Sequence, residues 1–358
     1  MTRHLIIGGG PAAINAIETI RDFDGGASSI TLVSDEPAYS RMVLPYWLAN
    51  QIPRQHVFTA DDAYYDALKV DRVIGPRVAR IDPQAKQATL QDGRTLAFDD
   101  LLIATGASAV VPPIPGADLP GVHPLWTLAH TEAVLQAAGN NSQPEVVFVG
   151  AGFIGFIVLN AMYKRGWKLH VVEIADHVLP RMLDRDAAGL VETWLQKKGV
   201  ALHLGTTVKE ITANGPRKRV ALGNGKSLEA DLVIVATGIR PNLDLVQGSG
   251  IQTADGILVN DRMQTNFPFI YAGGDVAQGP DLYGDKPAVH AIQPTAIDHG
   301  RVAGANMAGF DVRYPGSLLM NILDACGLQC ASFGRWGEAA EAMTIRNPDR
   351  PVYRKLLW

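Results

Sequence analysis

A chain of 358 residues exceeds the roughly 100–200 residues of one ordinary domain and calls for two or three. Apolar residues at 47% and charged residues at 19% describe a globular protein with ample core, and a formal charge of -4 leaves no electrostatic footprint for nucleic acid. The longest apolar runs, such as 146–149 and 232–237, fall far short of the roughly 20 residues that a membrane-crossing helix needs.

The chain enters a predicted strand almost at once, with Leu5, Ile6 and Ile7 running into Gly8, Gly9, Gly10, Pro11, Ala12 and Ala13. A helical stretch over 14–20 follows, then a second strand over 30–33 that ends at Ser34, Asp35 and Glu36. Removing a signal peptide would destroy this first motif, so a cytoplasmic location is expected. The same device recurs further on. A strand at 146–149 leads into Gly150, Ala151, Gly152, Phe153, Ile154 and Gly155, a helix runs through Tyr163, and a strand over 169–172 ends at Glu173.

The order of residues has a physical reason. Gly8 and Gly150 permit the tight turn, Gly10 and Gly152 let backbone approach a pyrophosphate, and Ala13 and Gly155 let helix and strand pack closely. The free N–H groups and positive dipole end of the helix then face the phosphates. An acidic residue at the tip of the next strand, roughly 20 residues on, can bond the adenosine ribose; Asp35, with Glu36 beside it, and Glu173 are the candidates. One such turn also occurs without a ligand, whereas two copies, each with strand, helix and acidic end, point to two dinucleotide sites. A carboxylate at Glu173 repels the extra phosphate of NADP, and no arginine follows directly in Ile174, Ala175 and Asp176. NADH is therefore favoured over NADPH, with Arg181 and Arg185 as the residues that could fold back. Cys326 and Cys330 are too few for a disulfide framework, and their spacing fits neither a redox pair nor a zinc knuckle. They read as core residues, and no metal site is expected.

Three further segments, LIATGA at 102–107, VIVATGIRPN at 233–242 and IYAGGDVA at 270–277, complete a pattern that resembles the FAD-dependent pyridine nucleotide-disulfide oxidoreductases over nearly the whole chain. The resemblance implies an α/β fold of two Rossmann-like three-layer domains of the glutathione-reductase type. It implies a split FAD domain, 1–112 and 242–310, an NAD domain at 113–241, and a partial α+β C-terminal interface domain at 311–358. That last region builds dimers in the family, so a homodimer is an expectation; whether its shortness is native or marks an incomplete chain stays open. The FAD set implied by the resemblance adds Arg41, Val78, Ala104, Thr105, Gly106, Gly274 and Asp275 to the first turn. In the family the aspartate of the Gly-Asp segment bonds the ribityl chain; a helix N-cap is the plain alternative for Asp275, and a solvated surface arginine for Arg41. Thr237 and Gly238 fall in the matching crossing segment of the NAD domain. The stretch 291–301 resembles the segment whose helix N-terminus stabilises charge at N1 and C2=O of the reduced flavin, with Thr295 and Ala296 as backbone donors.

The branch is marked by absences. No Cys-x4-Cys stands near the N-terminus, and in the segment 40–47, which resembles coenzyme A-disulfide reductases and water-forming NADH oxidases, the single redox cysteine is replaced by Met42. A thioether forms neither thiolate nor sulfenic acid, which disfavours both activities. The lysine and glutamate that pair near the nicotinamide in ferredoxin and rubredoxin reductases fall at Tyr46 and Ile157. Met42, Pro45, Phe153 and Thr295 are the flavin-proximal candidates, Phe153 being either an aromatic gate or core packing. The implied activity passes hydride from NADH to flavin N5, and electrons then go to a protein acceptor, such as a ferredoxin, a rubredoxin or an iron-sulfur subunit, or to a small-molecule acceptor such as a quinone or dye. The alternatives are an electron-input module of a nitrite-reductase-like complex and a non-catalytic FAD/NAD redox sensor.

Overall fold

Strands with near-continuous apolar runs belong in parallel sheets covered on both faces, and the strands before the two glycine turns carry such runs, Leu5 to Ile7 and Val146 to Val149. In the computed structural model, which describes residues 1–334, 339–347 and 350–358, Arg3–Ile7 and Glu145–Val149 are each buried over their last four residues. Burial of this sort contributes roughly 1.5–3 kcal/mol for each large aliphatic side chain, which is why these strands become the centres of their sheets.

The chain divides into two units, residues 1–42, 55–108 and 240–319 in one, and 43–54, 109–239 and 320–358 in the other. In the first, Arg3–Ile7 is the middle of five parallel strands ordered Ile270–Ala272, Asp100–Ile103, Arg3–Ile7, Ser29–Ser34 and Val70–Ile74. Helices Pro11–Asp24 and Gln293–Met307 pack against one another, and a three-stranded antiparallel sheet, Val78–Asp82, Gln87–Leu90 and Thr95–Ala97, precedes Asp100–Ile103. In the second, Glu145–Val149 is the middle of five parallel strands ordered Ala201–His203, Lys168–Val172, Glu145–Val149, Leu232–Val235 and Val122–Pro124. Here too a three-stranded antiparallel sheet, Val208–Asn214, Arg217–Leu222 and Ser227–Ala230, precedes the strand that pairs with the centre. The repeat read from the glycine turns thus extends to whole sheets.

Boundaries between the units fall at 108/109 and 239/240. Two segments are distributed differently from the expected scheme. Residues 43–54 belong to the second unit because Leu48 and Ala49 enter its core, and 320–358 join it because Leu323, Ala325, Cys326 and Cys330 do the same. Residues up to 319 stay with the first unit, where Tyr314 is part of the core. Among the described residues of 311–358 only strands form, as two antiparallel hairpins, Met320–Ala325 with Leu328–Phe333 and Ala342–Asn347 with Val352–Leu357. Among the described residues no helix is long and apolar enough to cross a membrane, and no group of three or more His, Cys, Asp or Glu side chains could hold a metal ion.

Candidate functional site

The first glycine turn leaves Arg3–Ile7 through Gly8, whose φ of +105° lies in the left-handed region and whose Cβ, if present, would stand 2.2 Å from the carbonyl oxygen of Ala104. Strand Asp100–Ile103 and its continuation therefore close over the turn, which juxtaposes Ala104, Thr105 and Gly106 with Gly8. Helix Pro11–Asp24 begins with Gly10 as N-cap and Pro11 in its first turn, with no side-chain cap and no acidic residue in that turn. Its first N–H groups, those of Ala12 and Ala13 among them, have no intrahelical partner, and a side chain at Gly10 would meet nothing within 4 Å. An uncapped helix start with open space before it fits a pyrophosphate. Further out, Glu36 accepts from the Tyr39 hydroxyl at 2.8 Å and pairs with Arg41 at 3.2 Å, and Arg41 also donates to the carbonyl of Ala107. Asp35 is exposed beyond the strand end and pairs with Arg77 at 2.6 Å; Val78 is half-buried against the core.

The second turn repeats these features. Gly150 has a φ of +106°, and its Cβ would stand 2.5 Å from the carbonyl oxygen of Ala236, the residue before Thr237 and Gly238. Gly152 caps helix Phe153–Lys164 without a side-chain bond, which leaves the first N–H groups of Phe153, Ile154 and Gly155 free. At Gly155 a Cβ would lie 3.2 Å from the Gly150 carbonyl oxygen, so the close packing read from the motif is present. Glu173 is buried at the end of Lys168–Val172, where its carboxylate accepts from the amides of Ala151 at 2.6 Å and Ala175 at 2.9 Å. Each carboxylate oxygen keeps lone pairs for further donors, so the group can still receive ribose hydroxyls. Arg185 is held by Asp176, and Ile174 is exposed.

Asp275 follows Gly273 and Gly274 at the end of Ile270–Ala272, in the first turn of the short 3-10 segment Gly274–Val276, and is not a helix N-cap. The residue is half-buried, and burial raises the pKa of its carboxyl, with Arg41 opposing. A carboxyl in a desolvated environment suits hydroxyl partners such as a ribityl chain. Helix Gln293–Met307 starts with no side-chain cap and with Thr295 and Ala296 buried; the Thr295 amide has no intrahelical acceptor, whereas the Ala296 amide donates to the Ile292 carbonyl at 3.1 Å, so Ala296 is not the free donor that the resemblance implied. In the segment after Ser40, Met42 is 54% exposed, Pro45 is half-buried and Tyr46 is exposed. In the second unit, Phe153 and Ile157 both pack on the core.

Three features escape the sequence reading. The Gly8 amide bonds the carbonyl of Val33 as the Gly150 amide bonds that of Val172, so the residue matching Glu173 is Ser34, not Asp35. Asn242 holds Thr105, donating from Nδ2 to its carbonyl at 2.8 Å and from its own amide to that of Gly106 at 3.0 Å. His299, buried, accepts from the Gly274 amide. The first of these had a signal in the sequence, since Val33 and Val172 each close an apolar run; the other two are long-range contacts without a spacing rule.

Comparison with known proteins matches the architecture. The family described as pyridine nucleotide-disulphide oxidoreductase matches residues 2–294. The epsilon subunit of NADH-dependent phenylglyoxylate dehydrogenase from Aromatoleum evansii is 33% identical over 337 residues, covering 93% of this chain and 79% of the relative. Rhodocoxin reductase from Rhodococcus erythropolis is 34% identical over 316 residues, covering 87% and 73%. The structure of a NAD-dependent persulfide reductase from A. fulgidus aligns with a TM-score of 0.84 at 32% identity, over 90% of this chain but only 62% of that one. With two sheets built on the same glycine turn and these relatives over most of its length, the chain belongs to the pyridine nucleotide-disulphide oxidoreductase family and is a flavoprotein oxidoreductase that uses FAD and NAD(P)H.

Proposed function

We propose that this flavoprotein takes electrons from NADH and hands them directly to a redox protein of the ferredoxin or rubredoxin kind. The observation that carries the reading is the state of the sulfur. The chain has two cysteines, and both lie in the apolar core of the second unit. Burial pushes the Cys326 thiol up to about 12 and the Cys330 thiol up to about 11, so neither yields a thiolate at neutral pH. The exposed side chains of the 40–47 segment are Met42 and Tyr46, neither of which can take part in disulfide exchange. No protein thiol relay is thus available between flavin and acceptor.

Bound FAD supplies the chemistry, accepting hydride from a reduced nicotinamide and releasing electrons onward. The chain's own residues bind and orient. Gly8, Gly10, Ala12 and Ala13 would hold the FAD pyrophosphate, Asp275 would accept from the ribityl hydroxyls, and the Thr295 amide at the start of its helix would favour negative charge at the flavin pyrimidine. Gly150, Gly152 and the start of helix Phe153–Lys164 receive the nicotinamide dinucleotide, and Glu173 selects NADH over NADPH by charge. Similarity to rhodocoxin reductase supports a protein acceptor.

Anaerobic mixing with NADH tests the reading. The flavin band should bleach within seconds and recover on addition of a ferredoxin-type acceptor, with turnover unaffected by a thiol-alkylating reagent at pH 8. An unchanged spectrum would support a redox sensor, and turnover with coenzyme A disulfide that alkylation abolishes would overturn the proposal. A second reading, an electron-input subunit of a larger complex, is favoured by the similarity to an epsilon subunit; co-purification of an iron-sulfur partner would distinguish it.

A further inference from the structure

Helix Gln293–Met307 lies directly on helix Pro11–Asp24. A Cβ at Gly300 would stand 2.2 Å from the carbonyl oxygen of Ala12, so the two backbones touch where the first turn ends. The residue before Gly300 is His299, 1% exposed, and its Cβ lies 3.3 Å from where a side chain on Gly273 would begin. The Gly274 amide donates to His299 Nδ1 at 3.3 Å, which assigns the ring proton to Nε2. Edge-on packing against Tyr314, with ring centroids 4.9 Å apart at 89°, holds the imidazole plane, and Tyr314 is tied in turn to Ser317 at 2.9 Å. His299 Nε2 has no hydrogen-bond partner. A buried group left unpaired on one side calls for an explanation beyond filling space.

Resting on the assignment of the first unit to FAD, we infer that His299 is a positioning residue of the FAD site: its Nδ1 takes the buried Gly274 amide and thereby fixes the turn that presents Asp275. Thr295 and His299 stand four residues apart on one helix and so share a face. The helix thus carries at its start the Thr295 amide assigned to the flavin end and, one turn on, the acceptor that locks the Gly-Asp turn. One rigid helix therefore sets the spacing between two parts of the cofactor's seat. The acceptor role requires a neutral ring, and burial, with His290 adding repulsion, holds the His299 pKa down at about 4.

Two substitutions separate this role from packing. His299→Asn is smaller and loses the ring contact with Tyr314, but its Oδ1 falls where Nδ1 was. His299→Phe keeps the ring and removes the acceptor. Titration of apoprotein with FAD, read by quenching of flavin fluorescence, should give near wild-type affinity for Asn and about tenfold or greater weakening for Phe. The reverse order, or two variants equal to wild type, overturns the inference. Nitrogen-15 NMR of wild-type apoprotein provides a reading that needs neither variant nor cofactor: the Nε2-protonated tautomer is expected, and the Nδ1-protonated tautomer would overturn it. Wild-type apoprotein that takes up no FAD would instead defeat the FAD assignment, with the tautomer still reporting on the Gly274 bond.

Discussion

The two glycine turns share their strand, their φ of about +105° and their uncapped helix start, yet they treat the end of the next strand differently. In the second unit a buried carboxylate, Glu173, stands there and grips the turn through the Ala151 amide. In the first unit the same place is taken by Ser34, whose hydroxyl bonds the carbonyl of Glu36, while the acids lie one and two residues further on and engage Arg77, Tyr39 and Arg41. The middle residue of each turn follows suit. Gly9 has no side chain because a Cβ would come within 3.0 Å of Ser34 Oγ, whereas Ala151 carries one. Identical backbone geometry thus holds two different recognition edges. One is a single charge fixed to the turn, suited to discriminating between incoming substrates; the other is a spread ion-pair network, suited to a cofactor that stays.

The comparison breaks most sharply at the shared residues. Gly8→Ala forces a left-handed φ on alanine, about 1–3 kcal/mol of strain, and adds a clash with Ala104; FAD content, read from flavin absorbance per chain, should fall below roughly one tenth of wild type. Gly150→Ala should keep its flavin while the KM for NADH rises about tenfold or more. Equal loss of flavin in both variants would mean that the turns do not serve separate ligands. Next in size is the charge. Glu173→Arg should lower the ratio of kcat/KM for NADH over NADPH by about tenfold or more, roughly 1.4 kcal/mol, and an unchanged ratio would refute the role of Glu173. The same variant loses two bonds from backbone amides to a buried carboxylate, about 1.5–3 kcal/mol for each, so its denaturant midpoint should drop. Ser34→Ala should leave FAD affinity within about threefold. The smallest effects belong to the middle position: Gly9→Ala and Ala151→Gly should each shift stability by no more than about 1 kcal/mol, measured by urea unfolding.

Much of this architecture was legible because its signals are local. Four-residue runs with three apolar side chains each placed the strands that become Ser29–Ser34 and Lys168–Val172, and glycine spacing placed both turns. Helix Pro11–Asp24 starts three residues before the expected stretch because proline suits the first helical turn. What stayed hidden depends on distant partners. Leu48 and Leu323 look like any apolar residues until the second core gathers them, which moves 43–54 and 320–358 out of the expected scheme. The acid beyond the first strand was read as Asp35 by spacing, whereas the Gly8 to Val33 bond, like the end of the strand run at Val33, gives the equivalent position to Ser34. Asn242 reaches Thr105 across 137 residues of sequence, a distance at which no motif rule operates.

The order of strands also governs how the protein is made. The parallel sheet of the second unit uses residues 122–235, one uninterrupted stretch, whereas that of the first needs Ile270–Ala272 to cover Asp100–Ile103. On a ribosome delivering roughly 5–20 residues per second, the N-terminal strands wait for a partner that emerges well after the other sheet has all its members. With Asp275 and Thr295 arriving later still, the seat proposed for FAD is completed late in synthesis, after the earliest-made strands have waited for their last neighbour.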